Sequence, residues 1–294
     1  MGNRLNGNNI VDAPSLVRDN GFSDPFVNVC AALGWRPRSL VAVLTAYLDE
    51  SYNQRTVKNP NDSLVYTVGC WVSTCERWKR FGKEWRSALR SAGLEWFHMS
   101  EYESRLNDYQ DWTELKRVGV LKRLHRIIKS NVLYGITSSV NCADYDKLYA
   151  GDLRAAFGKT YYGFNVRVIM KGLAEWADAT GYDGQIHYVF AELKGQGNEL
   201  DTVFRRSLAN PEMKKLLRLD GMWAKGLMRD VRQLQAADIL AYELNKRCVN
   251  HVTAGKKFAR KSLENLAGSL YGDRLAPLYC GEKELKHWLR LLGG

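Results

Sequence analysis

An apolar run that ends in two consecutive acids lies near the start of this chain. Residues 41–48 are apolar or aromatic except for Thr45, and Asp49, Glu50 and Ser51 follow directly. A run of this length, rich in β-branched and aromatic residues, is typical of a buried β-strand. The sequence therefore predicts a strand over residues 40–48, with the acids where the strand ends. Strand ends of this kind are common places for metal sites.

A third acid lies far downstream, in a segment with helical periodicity. Gln235, Asp238 and Tyr242 repeat at intervals of three and four residues and share one side of the predicted helix. Leu234, Ala237, Ala241 and Leu244 occupy the adjacent side. The pattern indicates a helix that packs through one side and presents polar groups on the other.

Length, cysteine use and hydropathy bound the class of protein. A chain of 294 residues can bury about 75% of its unfolded surface, enough for one large domain with additions. The six cysteines form no CxxC pair, which favours reduced thiols and a cytoplasmic location. No apolar run approaches the ~20 residues of a membrane span. We therefore expect neither a secreted nor a membrane-embedded protein.

The charge balance favours a polyanionic partner. Lys and Arg total 43 against 32 for Asp and Glu, a net charge of +11. Part of the excess falls in stripes, which we interpret as candidate nucleic-acid-binding surfaces, although each alone could be an ordinary solvated helix face. The candidates are Lys79, Lys83, Arg86 and Arg90 in one helix and Lys256, Lys257, Arg260 and Lys261 near the carboxyl end.

Strands and helices alternate through the middle of the chain. The first two strands are expected to pair antiparallel, and later strands alternate with helices, which indicates an α/β fold with a mixed sheet covered by helices. The chain divides into an N-terminal arm (1–38), a core (39–250) and a C-terminal basic, helical extension (251–294). Strands are predicted over residues 40–48, 64–72, 94–98, 132–140, 185–190 and 221–227. Helices are predicted over residues 76–92, 157–179, 196–208 and 211–217 and around Asp238.

Asp49-Glu50-Ser51, combined with the late segment Leu-Gln-Ala-Ala-Asp-Ile-Leu-Ala-Tyr-Glu at residues 234–243, resembles the DUF3800 family of bacterial and phage proteins. Two further segments match more loosely: residues 96–98, which end in His98, and residues 188–192, which end in Glu192. The chain carries Tyr52 where the family usually has glycine. The resemblance implies a ribonuclease H-like fold and a metal-dependent nuclease.

Carboxylates from separate elements are the ligands expected for Mg²⁺ or Mn²⁺ in such a nuclease, because these ions prefer oxygen ligands. We assign Asp49, Glu192 and Asp238 as candidate ligands. Glu50 should point to the opposite face of the strand and act as a supporting acid.

The remaining polar residues of these segments have less specific expected roles. His98 suits a proton shuttle or an orienting group, and a structural histidine is an equal alternative. Ser51 is expected to bond nearby backbone. Gln235 and Tyr242 could hold Asp238, contact substrate or simply pack.

Three functions stay open at this point. The first is a nuclease that hydrolyses phosphodiester bonds of DNA or RNA through a carboxylate-held metal. The second is a nucleic-acid-binding or partner-binding protein with an incomplete site on the same scaffold. The third is a phosphoesterase that acts on small nucleotides. A regulatory protein partner is a further hypothesis, since an unregulated nuclease would harm its host.

Overall fold

The computed structural model describes residues 43–52, 64–149, 151, 159–192, 197–219, 223–254, 260–268, 270 and 274–292. The predicted N-terminal arm (1–38) lies outside these ranges, as do Lys256 and Lys257. In the helices described there, none is both long and apolar enough to cross a membrane.

One mixed sheet forms the centre of the described structure. Its strands are Leu44–Tyr52 (β1), Val65–Thr74 (β2), Tyr134–Asn141 (β3), Ile186–Ala191 (β4), Trp223–Gly226 (β5) and Leu275–Cys280 (β6). They lie in the order β5-β4-β1-β2-β3-β6. The β1–β2 and β2–β3 pairs are antiparallel, and the β1–β4, β4–β5 and β3–β6 pairs are parallel. The predicted α/β class with a mixed, helix-covered sheet is confirmed.

Helices cover both faces of this sheet. They are Cys75–Ala92 (α1), Met99–Ser104 (α2), Glu114–Asn131 (α3), Cys142–Leu148 (α4), Tyr161–Ala179 (α5), Gly197–Ala209 (α6), Pro211–Leu216 (α7), Arg232–Ala254 (α8), Lys261–Ala267 (α9) and Glu282–Leu292 (α10). A short 3₁₀ turn, Asn107–Tyr109, follows α2.

The two faces of the sheet bury separate cores. Alternate residues of β1 point to opposite sides, so Tyr47 packs in the core that includes α1 and α8. Leu48 packs in the second core, which includes α5. Helix α8 contacts β1 and β2 directly. Odd-numbered residues at this end of β1 therefore face α8.

The first strand extends further than the sequence predicts. Asp49, Glu50 and Ser51 lie within β1, because β2 remains paired with β1 as far as Tyr52, opposite Tyr66. The pairing with β4, by contrast, extends only as far as Leu48, opposite Phe190. The acids thus lie beyond the end of the pairing between β1 and β4, but not beyond the end of β1 itself.

The strand predicted over residues 94–98 is wrong. This segment is irregular, because its backbone bonds to side chains instead of to a neighbouring strand. The Phe97 N–H donates to Gln235 Oε1 at 3.1 Å, and the His98 N–H donates to the Tyr109 hydroxyl at 3.3 Å. Helix α2 then begins directly after His98.

The C-terminal residues contribute a strand to the sheet as well as helices. The β6 strand pairs in parallel with β3 through Gly135–Leu275 to Val140–Cys280, and α10 then contacts α4. The sequence prediction of a basic and helical extension after residue 250 missed this strand. Its central residues are largely exposed, as expected at a sheet edge, so the apolar pattern is weak.

Candidate functional site

Asp49 lies on the α8 face of the sheet, where a glycine lets the helix come close. Across the β1–β2 ladder its partner is Gly69. A Cβ atom placed on Gly69 would lie 2.7 Å from the backbone nitrogen of Ala241 and 3.1 Å from the carbonyl oxygen of Ala237. Since Asp238 lies between these two helical residues, this close approach brings it to the level of Asp49.

Asp238 is held by the amino end of α2. The backbone N–H of Met99 donates to Asp238 Oδ2 at 2.6 Å. A carboxylate that accepts a bond at the start of a helix is also favoured by the local peptide dipoles. Both Asp49 and Asp238 are 4% exposed, so the two acids meet in a nearly water-free region.

Gln235 fixes the segment that carries Met99. Its Oε1 accepts from Trp85 Nε1 at 2.8 Å as well as from the Phe97 N–H, and its Nε2 donates to the Met228 carbonyl at 2.8 Å. Gln235 is fully buried, so these contacts make it a positioning residue and leave it no substrate contact. Of the roles considered from the sequence, holding the site around Asp238 is the one its contacts support.

Burial and like charge act together on Asp49 and Glu50. Burial raises the pKa of Asp49 well above its usual value, and the neighbouring carboxylates of Glu50 and Asp238 raise it further. Burial raises the pKa of Glu50 to about 8, against a hydrogen bond from Asp49 that lowers it. The acids cannot all be charged at neutral pH without a compensating cation.

The close contact between Asp49 and Glu50 differs from the expectation that strand alternation would separate them. Asp49 Oδ1 turns back to accept from the Glu50 N–H at 2.9 Å. The negative charge of Glu50 also raises the pKa of Asp49, so the two carboxyl groups interact. Glu50 is therefore part of the same acidic group and does not only support it from the opposite face.

Two further groups act on Asp238 from α2 and the segment before it. Burial raises the pKa of Asp238 to about 6, His98 and the Met99 N–H lower it, and Glu101 raises it. His98 Nδ1 lies 3.6 Å from Glu101 Oε1. The Ser100 hydroxyl lies 3.2 Å from His98 Nε2. His98 thus lies beside Asp238 and Glu101.

Glu101 is the group that the sequence interpretation misses. The signal for it is the three-residue spacing from His98, which is the spacing of a residue before a helix and an acid in its first turn. The prediction of a strand over residues 94–98 hides this spacing, because it places no helix start at Met99.

Glu192 is not brought into this group. It follows β4 directly, its N–H donates to the Gly226 carbonyl at 3.0 Å, and its side chain is exposed. The groups that act on Asp49 and Asp238 are Glu50, His98 and Glu101, together with each other. Glu192 as a metal ligand stays a prediction without support from this geometry.

The two remaining predicted residues flank the site. The Ser51 carbonyl accepts from Asn245 Nδ2 at 3.1 Å, which ties the end of β1 to α8. The Tyr242 ring is half-buried and faces two cations, Lys246 at 5.2 Å and Arg260 at 5.8 Å from its centre. Tyr242 also packs against the core on the α8 face of the sheet.

Some residues of the predicted basic surface are exposed, whereas Arg260 forms ion pairs within the protein. Lys79, Lys83 and Arg90 are exposed on α1, and Lys261 is exposed on α9. Arg260 instead pairs with Glu103 at 2.5 Å and with the fully buried Glu243 at 3.7 Å. Its charge is therefore used inside the protein.

A divalent cation fits part of this arrangement. Asp49 Oδ2 and Glu50 Oε2 are buried and have no hydrogen-bond partner within the described residues, which leaves two acceptors for a cation. No three His, Cys, Asp or Glu side chains in that same part of the chain are arranged to hold a metal ion. Mg²⁺ commonly binds through one or two carboxylates and takes its other ligands from water and phosphate. The residues present fit that mode and not a closed protein cage.

Two comparisons with known proteins find no relative of this chain. The chain matches no family model, and a search of curated proteins finds no match either.

Proposed function

We propose that this protein is a divalent-metal-dependent nuclease, with Asp49, Glu50 and Asp238 as its acidic centre and Mg²⁺ or Mn²⁺ as its cofactor. The observation that carries the proposal is the pair of buried carboxylate oxygens, Asp49 Oδ2 and Glu50 Oε2, that have no partner among the described residues. Two buried acids beside a half-buried third are costly for a fold, so their presence favours a positively charged ligand.

A bound cation would offset the repulsion between these acids, lower the pKa of an attacking water and stabilise the departing oxyanion. Asp49 and Glu50 would supply carboxylate oxygens to the cation, and Asp238 would add negative charge beside them. The Met99 N–H fixes the orientation of Asp238. Burial of the acids limits the competing water, which strengthens each electrostatic interaction.

His98 is the group best placed to move a proton at this centre. Its ring lies beside Glu101 through Nδ1 and beside Ser100 through Nε2. An imidazole beside a reacting phosphate can pass a proton to the leaving oxygen. We assign His98 this role in the proposed reaction.

The strand arrangement supports a ribonuclease H-like core of the DUF3800 type. Antiparallel strands β1, β2 and β3 come first, and the helix-linked parallel strands β4 and β5 follow on the other side of β1. Fold alone does not decide function, so the acidic centre carries the main weight.

The test is cleavage of DNA and RNA by Asp49→Asn and Asp238→Asn proteins in Mg²⁺ or Mn²⁺. Asp183→Asn is the matched control, because Asp183 is exposed and far from these acids along the sheet. We expect both site variants to lose at least about 100-fold in rate and the control to keep wild-type activity. Equal cleavage by all four proteins would refute the assignment.

The Glu192→Gln variant tests whether Glu192 is the third metal ligand. The exposed position of Glu192 predicts near-wild-type cleavage, whereas a ligand would give a loss like that of Asp238→Asn.

The second candidate is a nucleic-acid-binding protein without hydrolytic activity. The absence of a three-ligand metal group within the described ranges, together with the exposure of Glu192, favours it. Salt-dependent binding of nucleic acid without any metal-dependent cleavage would support this candidate over the nuclease.

A further inference from the structure

Three arginines come together where α1 crosses the start of α8. Arg86 and Arg90 are one turn apart on α1, and Arg232 is the first residue of α8. The two helices are fixed here by the 2.8 Å bond from Trp85 Nε1 to Gln235 Oε1. Arg86 follows Trp85 and Arg232 precedes Gln235 by one turn, so both residues lie at this crossing.

No acid neutralises this cluster in the part of the chain that the structure covers. Arg86 Nε is buried and has no hydrogen-bond partner there. The ion pairs in that part involve none of the three arginines. Burial, followed by the charges of Arg86 and Arg90, lowers the pKa of Arg232. Of the acids near these arginines in sequence, Glu84 contacts Arg80 and Asn131, and Glu95 and Asp230 are exposed.

A neighbouring arginine, Arg229, which lies three residues before Arg232, is connected to the acidic centre by stacked side chains. The Arg229 guanidinium lies over the Trp96 ring at 4.9 Å, and Trp96 stacks on His98 at 5.4 Å with an angle of 17° between the rings. Along α8, the six residues from Arg232 to Asp238 correspond to about 9 Å. That length matches about two to three nucleotides of a stacked strand.

We propose that Arg86, Arg90 and Arg232 form a phosphate subsite that binds a nucleic-acid strand two to three nucleotides away from the acidic centre. Unpartnered guanidinium groups bind phosphate oxygens through paired N–H donors, and the amino end of α8 adds partial positive charge. The substrate is then a polynucleotide and not a free nucleotide. The inference that the substrate is a polynucleotide rests on the proposed function of the acidic centre, whereas the inference of a phosphate subsite does not.

The test measures binding without cleavage. The full-length protein is titrated with a fluorescent single-stranded DNA or RNA oligonucleotide in EDTA, and anisotropy gives the affinity over a range of salt concentrations. The variant is Arg86→Gln/Arg232→Gln. Lys214→Gln/Lys215→Gln is the matched control, since it also removes two positive charges, from exposed positions on α7.

We expect the arginine variant to bind the oligonucleotide at least about tenfold more weakly than wild type. The slope of log affinity against log salt should fall in magnitude by about 1.5, which corresponds to two phosphate contacts. The lysine control should not change the affinity or the salt slope by a comparable amount. Equal binding by the two variants, or no binding by wild type, would overturn the proposal.

Inorganic phosphate separates a strand subsite from a site for the free anion. It should raise the midpoint of thermal unfolding of wild type slightly, and that of the arginine variant not at all. Loss of this phosphate effect with unchanged oligonucleotide binding would contradict a strand subsite. Arginine-dependent binding without cleavage by wild type in Mg²⁺ or Mn²⁺ would overturn the nuclease and keep the subsite. Cleavage with unchanged KM in the arginine variant would overturn the subsite alone.

Discussion

Gly69 on β2 lies so close to Ala241 on α8 that a Cβ atom on the glycine would be 2.7 Å from the Ala241 backbone nitrogen. The contact is backbone against backbone, so no side chain can move aside to relieve it. Because Gly69 is also the cross-strand partner of Asp49, the same contact fixes the distance between β1 and the helix that carries Asp238.

Gly69→Ala should destabilise the protein and separate the acids. The added methyl group forces α8 away from the sheet, at a cost of about 1–3 kcal/mol in the free energy of unfolding. Denaturant unfolding measures this cost. Gly119→Ala is the control, because a Cβ atom on Gly119, in α3, would meet no atom within 4 Å, and alanine favours a helix by up to ~1 kcal/mol. Equal effects of the two substitutions would contradict the close-approach argument.

The metal-free protein should lose stability as pH rises from about 4 to about 8. Asp49, Glu50 and Asp238 have raised pKa values in the folded state, with Glu50 at about 8 and Asp238 at about 6. The folded state therefore binds more protons than the unfolded state across this range, so the free energy of unfolding falls with rising pH.

Glu50→Gln should flatten this pH dependence and stabilise the protein at pH 8 by about 1–3 kcal/mol. Urea unfolding in EDTA at several pH values gives the comparison. Asp183→Asn, at an exposed position, should keep the wild-type slope. A wild-type slope in the Glu50 variant would show that this carboxyl group is not the source of the pH dependence of stability.

Mn²⁺ should stabilise the wild-type protein and release protons when it binds. Raised pKa values mean that the acids are partly protonated before binding, so a cation must displace those protons. Calorimetry in buffers with different ionisation enthalpies measures the release, and affinity should increase between pH 6 and pH 8. Asp49→Asn and Asp238→Asn should weaken binding by at least about tenfold. Binding unaffected by either substitution would place the cation elsewhere.

Gln235→Ala should destabilise the protein by about 2–5 kcal/mol, because it leaves the Trp85 Nε1–H and the Phe97 N–H buried without an acceptor. Gln233→Ala is a suitable control, since Gln233 lies on the same turn of α8 and is also buried. Tryptophan fluorescence during unfolding measures both. Similar losses in the two variants would indicate that helix packing, and not this hydrogen-bond pair, is responsible.

Arg260→Met should act on stability and leave nucleic-acid affinity unchanged. Removing Arg260 leaves the buried Glu243 without its cation, at a cost of about 3–5 kcal/mol. Lys261→Met, at the exposed neighbouring position, should be nearly neutral for stability. Weaker oligonucleotide binding by the folded Arg260 variant would show that Arg260 is part of the nucleic-acid-binding surface.

The parts of the fold with strong local periodicity could be predicted from the sequence. The predicted start of α1 lies within one residue of the observed start. Its buried residues include Trp78, Phe81, Trp85 and Leu89, which repeat at helical spacing in the sequence. The antiparallel pairing of β1 and β2 is confirmed for a similar reason, since both are short apolar runs separated by a turn-rich segment.

What the sequence could not provide depends on contacts between distant residues. Residues 94–98 have an apolar pattern, yet they are irregular because Gln235 satisfies their backbone. The contact between Asp49 and Glu50 comes from a side chain that turns back on its own backbone, which strand alternation does not describe. The arginine cluster joins α1 to α8, two helices far apart in the chain, so no single periodic stripe contains it.

The bond between the Met99 N–H and Asp238 closes a span of 139 residues, and the bond between Phe97 and Gln235 closes one of 138. Contacts of such high sequence separation form late, after most of the loop-closure entropy has been lost. A chain still emerging from the ribosome therefore has no assembled acidic centre before α8 has been synthesised and docked. The late position of α8 in the chain thus delays the assembly of the acidic group until most of the fold has been synthesised.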